Sequence, residues 1–188
     1  AEYLTAQGKL KSEGFVATVM SNLGLHKFCE ENHLKLLCAA VGDRNVLELM
    51  QKESMVLGGE QSGHIIFLEY MTTGDGQLAA LQFLSILGQS GKKASELAGQ
   101  ITHYPQLLQN VKVGSNEEKT AILNSAELAA IVAREEERLA GHGRILLRAS
   151  GTEPLIRVMA EANTQDLAEL VVKTLVQAVE NIQKILNK

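Results

Sequence analysis

The sequence predicts an α/β domain with a mostly parallel sheet, followed by a smaller α+β domain whose antiparallel sheet is covered by helices. Three observations predict it. In the first half, short apolar runs alternate with segments of helical periodicity. The composition then loosens at Gly88-Gln89-Ser90-Gly91-Lys92-Lys93. Beyond His103-Tyr104-Pro105 the order changes: two apolar runs lie close together and a long amphipathic segment ends the chain. The boundary is placed near residue 102, giving domains 1–101 and 102–188.

Residues 2–10 read as the tail of a helix whose beginning lies upstream. Phe15–Met20 and Leu34–Ala40 read as strands, and Asn22–Asn32 between them as a helix with Leu23, Leu25, Phe28 and Cys29 on its apolar face. Asp43–Glu53 is helical, with Val46, Leu47, Leu49 and Met50 apolar and Asp43 at its positive end. Met55–Leu57 and His64–Tyr70 make two short strands around a glycine-rich loop. Gly74–Leu87 forms a helix opened by Thr72, Thr73 and Asp75, and Ala94–Gln100 a short one. In the second half Gln106–Val113, Gly143–Ala149 and Leu155–Ala162 read as strands, and Glu117–Leu123 and Ser125–Ala140 as helices. Thr164–Leu186 is the terminal helix. Leu167, Leu170, Val171, Leu175, Val179 and Ile182 follow helical spacing, and Thr164 or Asp166 caps it.

Composition narrows the function classes. With 45% hydrophobic and only 4% aromatic residues, the core must be built mainly of Leu, Ile, Val and Ala. A net charge of −4 offers no broad footprint for nucleic acid, so a small anion must be held by local arginines. No apolar run approaches membrane-spanning length, and Ala1 to Lys11 lacks the apolar centre of a signal peptide. Cys29 and Cys38 fit no metal or redox spacing. They read as buried thiols in a reducing compartment, which points to the cytoplasm.

Two polar loops carry the chemistry. Arg148-Ala149-Ser150-Gly151-Thr152-Glu153-Pro154-Leu155-Ile156-Arg157 places Ser, Gly and Thr between two strands, with an arginine on each side. Hydroxyls, exposed backbone N–H groups and two guanidinium forks suit a dianionic phosphate. An ordinary hairpin turn would use the same residue types. Gly58-Gly59-Glu60-Gln61-Ser62-Gly63-His64 is the second loop. Glu60, Ser62 and His64 alternate. If the loop leaves as a strand, they share one side, a set suited to sugar hydroxyls. A plain turn with solvated polar residues remains the alternative.

Taken together and in this order, the loops are more specific. The chain resembles the α-D-phosphohexomutase superfamily, and most closely its bacterial phosphoglucosamine mutases. Four stretches carry the resemblance: Thr18-Val19-Met20-Ser21-Asn22-Leu23-Gly24; Val41-Gly42-Asp43-Arg44; Gly58 to His64 with Thr72-Thr73-Gly74-Asp75-Gly76; and Arg148 to Arg157. The family has four domains, and only the third and fourth are matched. The serine that is phosphorylated and the aspartate-rich loop that binds magnesium belong to the first two, so the resemblance implies Mg2+ ligands outside this chain and no metal site within it.

The resemblance also implies roles. Arg148, Ser150, Gly151, Thr152 and Arg157 would grip phosphate; Glu153, which like charge would keep from the phosphate, is expected on charge grounds to buttress an arginine. Glu60, Ser62 and Gly63 would hold the sugar, and Asp43 and Arg44 would help choose among sugars, with helix capping as their alternative. Two roles stay open for His64, a structural residue or a proton shuttle. The implied enzyme interconverts glucosamine 6-phosphate and glucosamine 1-phosphate through a phosphoserine and a bisphosphate. This chain would supply substrate recognition, with the phosphosugar and the N-terminal domains as its partners, and would be inactive alone. An oligomer is compatible with this. The rivals are a phosphomannomutase or phosphoglucomutase of the same superfamily, and a stand-alone sugar-phosphate-binding module.

Overall fold

The computed structural model describes residues 1–10 and 13–187; Lys11, Ser12 and Lys188 lie outside them. The chain divides into two units, Ala1–His103 and Tyr104–Lys188. The first contains α1 (Glu2–Ala6), β1 (Gly14–Thr18), α2 (Leu23–Glu31), β2 (Lys35–Ala39), α3 (Asp43–Lys52), β3 (Leu57–Gly59), β4 (Ile65–Phe67), α4 (Gly76–Ser90) and α5 (Ala94–Ala98). The sheet order is β2-β1-β3-β4. β1 pairs in parallel with β2 and β3, and β4 is antiparallel to β3. A central parallel strand needs cover on both faces, and successive residues of β1 serve the two sides. Val16 packs with Val46 and Met50 of α3, while Phe15 packs with Leu25, Phe28 and Cys29 of α2.

Local hydrogen bonds account for the boundaries that differ from expectation. α1 ends at Ala6 rather than continuing to residue 10, because the N–H groups of Lys9 and Leu10 both return to the Leu4 carbonyl. β3 starts two residues late: Met55 still belongs to the turn after α3, where its N–H donates to Met50 O. β4 stops at Phe67, whose carbonyl accepts from Tyr70 and Met71 and so turns the chain. Asp75 alone caps α4: its Oδ1 accepts from Gln77 N–H at 2.8 Å and Leu78 N–H at 3.0 Å. α4 is apolar yet buries no residue, and Leu81 is 66% exposed.

The second unit contains β5 (Gln106–Lys112), α6 (Asn116–Leu123), α7 (Ala126–Leu139), β6 (Gly143–Ala149), β7 (Leu155–Ala162) and α8 (Gln165–Leu186). All pairings are antiparallel, in the order β5-β7-β6. Ile156, Val158, Ala160 and Ala162 alternate along β7 and meet Val171, Val172, Leu175, Val179 and Ile182 of α8. Thr164 caps α8 through a bond from Leu167 N–H. Leu170, expected in the stripe, is 45% exposed, whereas Val172 and Val176 are buried. A helix lying on a sheet buries a stripe wider than a single heptad seam, and its centre runs through Val171, Leu175 and Ile182.

Neither cysteine is in a disulfide; Cys29 is buried, but Cys38 is only half-buried. Burial pushes the Cys29 thiol up to about 11, which keeps it protonated and unreactive at neutral pH.

Candidate functional site

In the first unit, the loop joining β3 to β4 is a closed turn, not a strand. Glu60 N–H donates to His64 O at 2.8 Å, and Gly63 N–H to Glu60 O at 3.1 Å. Gly63 takes φ 99°, a conformation that disfavours side chains and lets the turn close. The three predicted side chains therefore converge by turning rather than by strand alternation. His64 Nδ1 is 3.5 Å from Ser62 Oγ and 3.7 Å from Glu60 Oε2. Gly74 backs this cluster, since a Cβ added there would lie 3.2 Å from His64 Cβ.

Glu60 also joins this turn to the loop after β2. Its Oε1 accepts from Gly42 N–H at 2.9 Å, and its side chain is only 11% exposed. This bond brings Val41-Gly42-Asp43-Arg44 beside the glycine-rich loop. Gly42, not Asp43, is the N-cap of α3; Asp43 Oδ1 instead accepts from the N–H of Arg44. The Arg44 guanidinium is turned along its own helix, where Nε donates to Glu48 Oε1 at 2.8 Å in an exposed pair. Arg44 thus stands at the loop but does not reach Glu60.

In the second unit, the strand register sets Arg148 opposite Arg157 across β6 and β7. The Nε of each is buried and lacks a hydrogen-bond partner among the described residues. Burial, and then the Arg157 charge, lower the Arg148 pKa. Two half-buried cations held side by side, each with a buried and unused Nε donor, are costly by themselves and well suited to an anion. The intervening loop is tied down tightly. Ser150 N–H donates to Leu155 O, Glu153 N–H to Ser150 Oγ, and Val113 N–H to Pro154 O. Ser150 is 3% exposed, whereas Gly151 and Thr152 are exposed. Among the described residues neither the Gly151 nor the Thr152 N–H has an acceptor. A Cβ at Gly151 would meet nothing within 4 Å, so packing within the chain does not demand glycine there.

One residue here was absent from the sequence-based set. Lys119 of α6 is 7% exposed, and its Nζ donates to Ser150 O at 2.7 Å and Glu153 O at 3.2 Å. The available signal was its place on the buried side of α6, one turn before Ile122. Among the described residues, no group of three or more His, Cys, Asp or Glu gathers to hold a metal, and no helix is long and apolar enough to cross a membrane.

Comparison with known proteins gives the class. Residues 1–104 match the model of phosphoglucomutase/phosphomannomutase alpha/beta/alpha domain III, and residues 108–178 match that of the phosphoglucomutase/phosphomannomutase C-terminal domain. The chain belongs to this phosphohexomutase family. Within it, the chain is similar to curated phosphoglucosamine mutases. It is 54% identical over 169 residues to that of Anoxybacillus flavithermus, covering 90% of this chain and 37% of the relative. It is 51% identical over 178 residues to that of Exiguobacterium sibiricum, covering 95% of this chain and 39% of the relative. The chain therefore spans about two fifths of the length of these relatives. Among solved structures, Aspergillus fumigatus N-acetylphosphoglucosamine mutase superposes with a TM-score of 0.80 at 23% identity, over 97% of this chain and 41% of that one. The same fungal enzyme in complex with GlcNAc-6P and magnesium superposes with a TM-score of 0.78 at 19% identity, again over 97% of this chain and 41% of that one. At these identities the superpositions establish the shared fold.

Proposed function

We propose that this chain is the substrate-recognition part of a phosphoglucosamine mutase, which interconverts glucosamine 6-phosphate and glucosamine 1-phosphate. The observation that carries it is the facing pair Arg148 and Arg157, whose buried Nε atoms lack partners among the described residues, on the two strands joined by the loop of Gly151 and Thr152. Similarity to phosphoglucosamine mutases at about half identity supports the amino-sugar assignment.

In this reading Arg148, Ser150, Gly151, Thr152 and Arg157 hold the phosphate that is not reacting. The transferring phosphate exchanges with a serine outside this chain, by way of a bisphosphate that turns around between the two transfers. A grip made of guanidinium forks and backbone N–H groups recognises the phosphate and not the ring carbon that bears it. It therefore serves position one and position six alike. Glu60, Ser62, Gly63 and His64 meet the sugar, and Asp43 and Arg44 bear on which sugar is accepted. His64 shares its Nδ1 between a carboxylate and a hydroxyl, a placement from which it could pass a proton or simply fix the turn. Closure over the substrate would exclude water from the reacting phosphate. Magnesium belongs to this reading only through residues outside the chain, as the family resemblance implies. Two cysteines outside any disulfide accord with a cytoplasmic enzyme.

The test is conversion by the complete enzyme containing this chain, assayed with glucosamine, glucose and mannose 6-phosphates. Glucosamine 6-phosphate is expected to give the highest kcat/KM, and Arg44→Ala to narrow the difference between sugars. Preference for mannose or glucose 6-phosphate would assign a sister activity of the same family. An unchanged sugar choice in Arg44→Ala would remove Arg44 from the specificity role.

A further inference from the structure

Lys119 is an ammonium group buried beneath the loop between β6 and β7, and among the described residues its bonds run to the main chain rather than to a carboxylate. It donates to two backbone carbonyls, Ser150 O and Glu153 O, which lie 31 and 34 positions further along the chain. These two carbonyls bracket Gly151 and Thr152. Every peptide bond described is trans, and in a trans peptide the C=O and N–H of one unit point in opposite directions. A Ser150 carbonyl held down toward Lys119 therefore turns the Gly151 N–H away from the helix, to the exposed side of the loop. Without the lysine the Ser150–Gly151 peptide is free to flip. A flip would place a carbonyl oxygen where an anion must bind, and would leave Ser150 O buried without a donor. The positive charge of Lys119 also lies on the buried side of a loop already flanked by Arg148 and Arg157.

We propose that Lys119 is a positioning residue for phosphate recognition: it holds the Ser150 and Glu153 carbonyls beneath the loop, so that the Gly151 N–H faces the anion. This rests on the reading of the loop as a phosphate grip. The geometry assigns Lys119 no contact with the substrate. Its influence runs through the peptide plane and through its charge. Arginine at this position would keep the charge and can still donate to carbonyls. Methionine would fill the buried volume and do neither.

The test is titration of the chain with inorganic phosphate, following backbone amide and lysine side-chain 15N signals by NMR. In the wild type, the Gly151 and Thr152 amides are expected to shift, and the Lys119 Nζ signal to move with the same midpoint. Lys119→Met should weaken phosphate binding by about tenfold or more, and Lys119→Arg should recover part of that loss. Wild-type affinity in Lys119→Met, alongside loss in Arg157→Ala, overturns the role of Lys119 and leaves the phosphate grip standing. An unmoved Lys119 signal at phosphate saturation overturns it too, and needs no variant that folds. If phosphate moves neither Gly151 nor Thr152 in the wild type, the phosphate grip itself fails, and the role of Lys119 with it.

Discussion

Replacing Arg148 by methionine is expected to have two opposite effects: higher thermal stability without ligand, and loss of the stabilisation that phosphate confers. Both follow from one arrangement. Arg148 faces Arg157 across the β6–β7 ladder, and like charges directly opposite each other destabilise a sheet. Its Nε is buried without a partner among the described residues, and burial is the first cause lowering its pKa. Methionine keeps much of the side-chain stem and removes both penalties. A gain of about 1 kcal/mol is expected, well within the range for relieving a buried unsatisfied donor. The wild type should melt higher as phosphate is added, by mass action on the folded state, while the variant should respond little. Thermal unfolding with and without phosphate measures both. A lower melting temperature combined with an undiminished phosphate response would mean that the pair serves the fold and not an anion. Sites of this kind hold strain that binding relieves, so stability and function pull apart at the same residue.

The second large effect is expected at Glu60, where two substitutions separate structure from recognition. Glu60 Oε1 accepts from Gly42 N–H, so Glu60→Ala leaves that donor without its partner and loosens the loop before α3. The expected loss is about 1 kcal/mol, plus lost packing from a side chain that is mostly enclosed. Glu60→Gln keeps a carbonyl acceptor of the same reach and should unfold close to the wild type. Both variants should bind sugar phosphate more weakly, because neither carries the carboxylate that faces His64. Denaturant unfolding and ligand titration of the two variants make the comparison. Full binding by Glu60→Gln would reduce Glu60 to a tether between two loops.

How far the sequence could be read depended on the distance over which the determining contact acts. β6 and β7 were legible to the residue, because each is an apolar run closed by strong turn formers, and their pairing follows from a short connection. The caps were legible to within a few candidates, Asp75 among Thr72, Thr73 and Asp75 and Thr164 beside Asp166, because a cap bonds within three residues. The Glu60–His64 loop was half legible. Residue types marked it as polar and convergent, but alternation implied a strand, and the backbone bonds that close it into a turn have no sequence signature beyond glycine. Lys119 was hidden for a related reason. Its partners are main-chain carbonyls on another element, and carbonyls are identical at every residue. In a list of residues, a lysine on a short helix reads as solvated surface. Leu170 failed in the opposite sense: it satisfied the helical period but fell on the rim of the stripe that the sheet buries.

In the proposed reading this chain holds a preassembled grip for the phosphate of an amino sugar. Calorimetric titration with glucosamine 6-phosphate tests it most directly, with Arg157→Ala run beside the wild type. Saturable binding by the folded wild type, lost in Arg157→Ala, is the predicted result. Binding that survives Arg157→Ala unchanged, or a folded wild type that takes up no sugar phosphate at any attainable concentration, would contradict it.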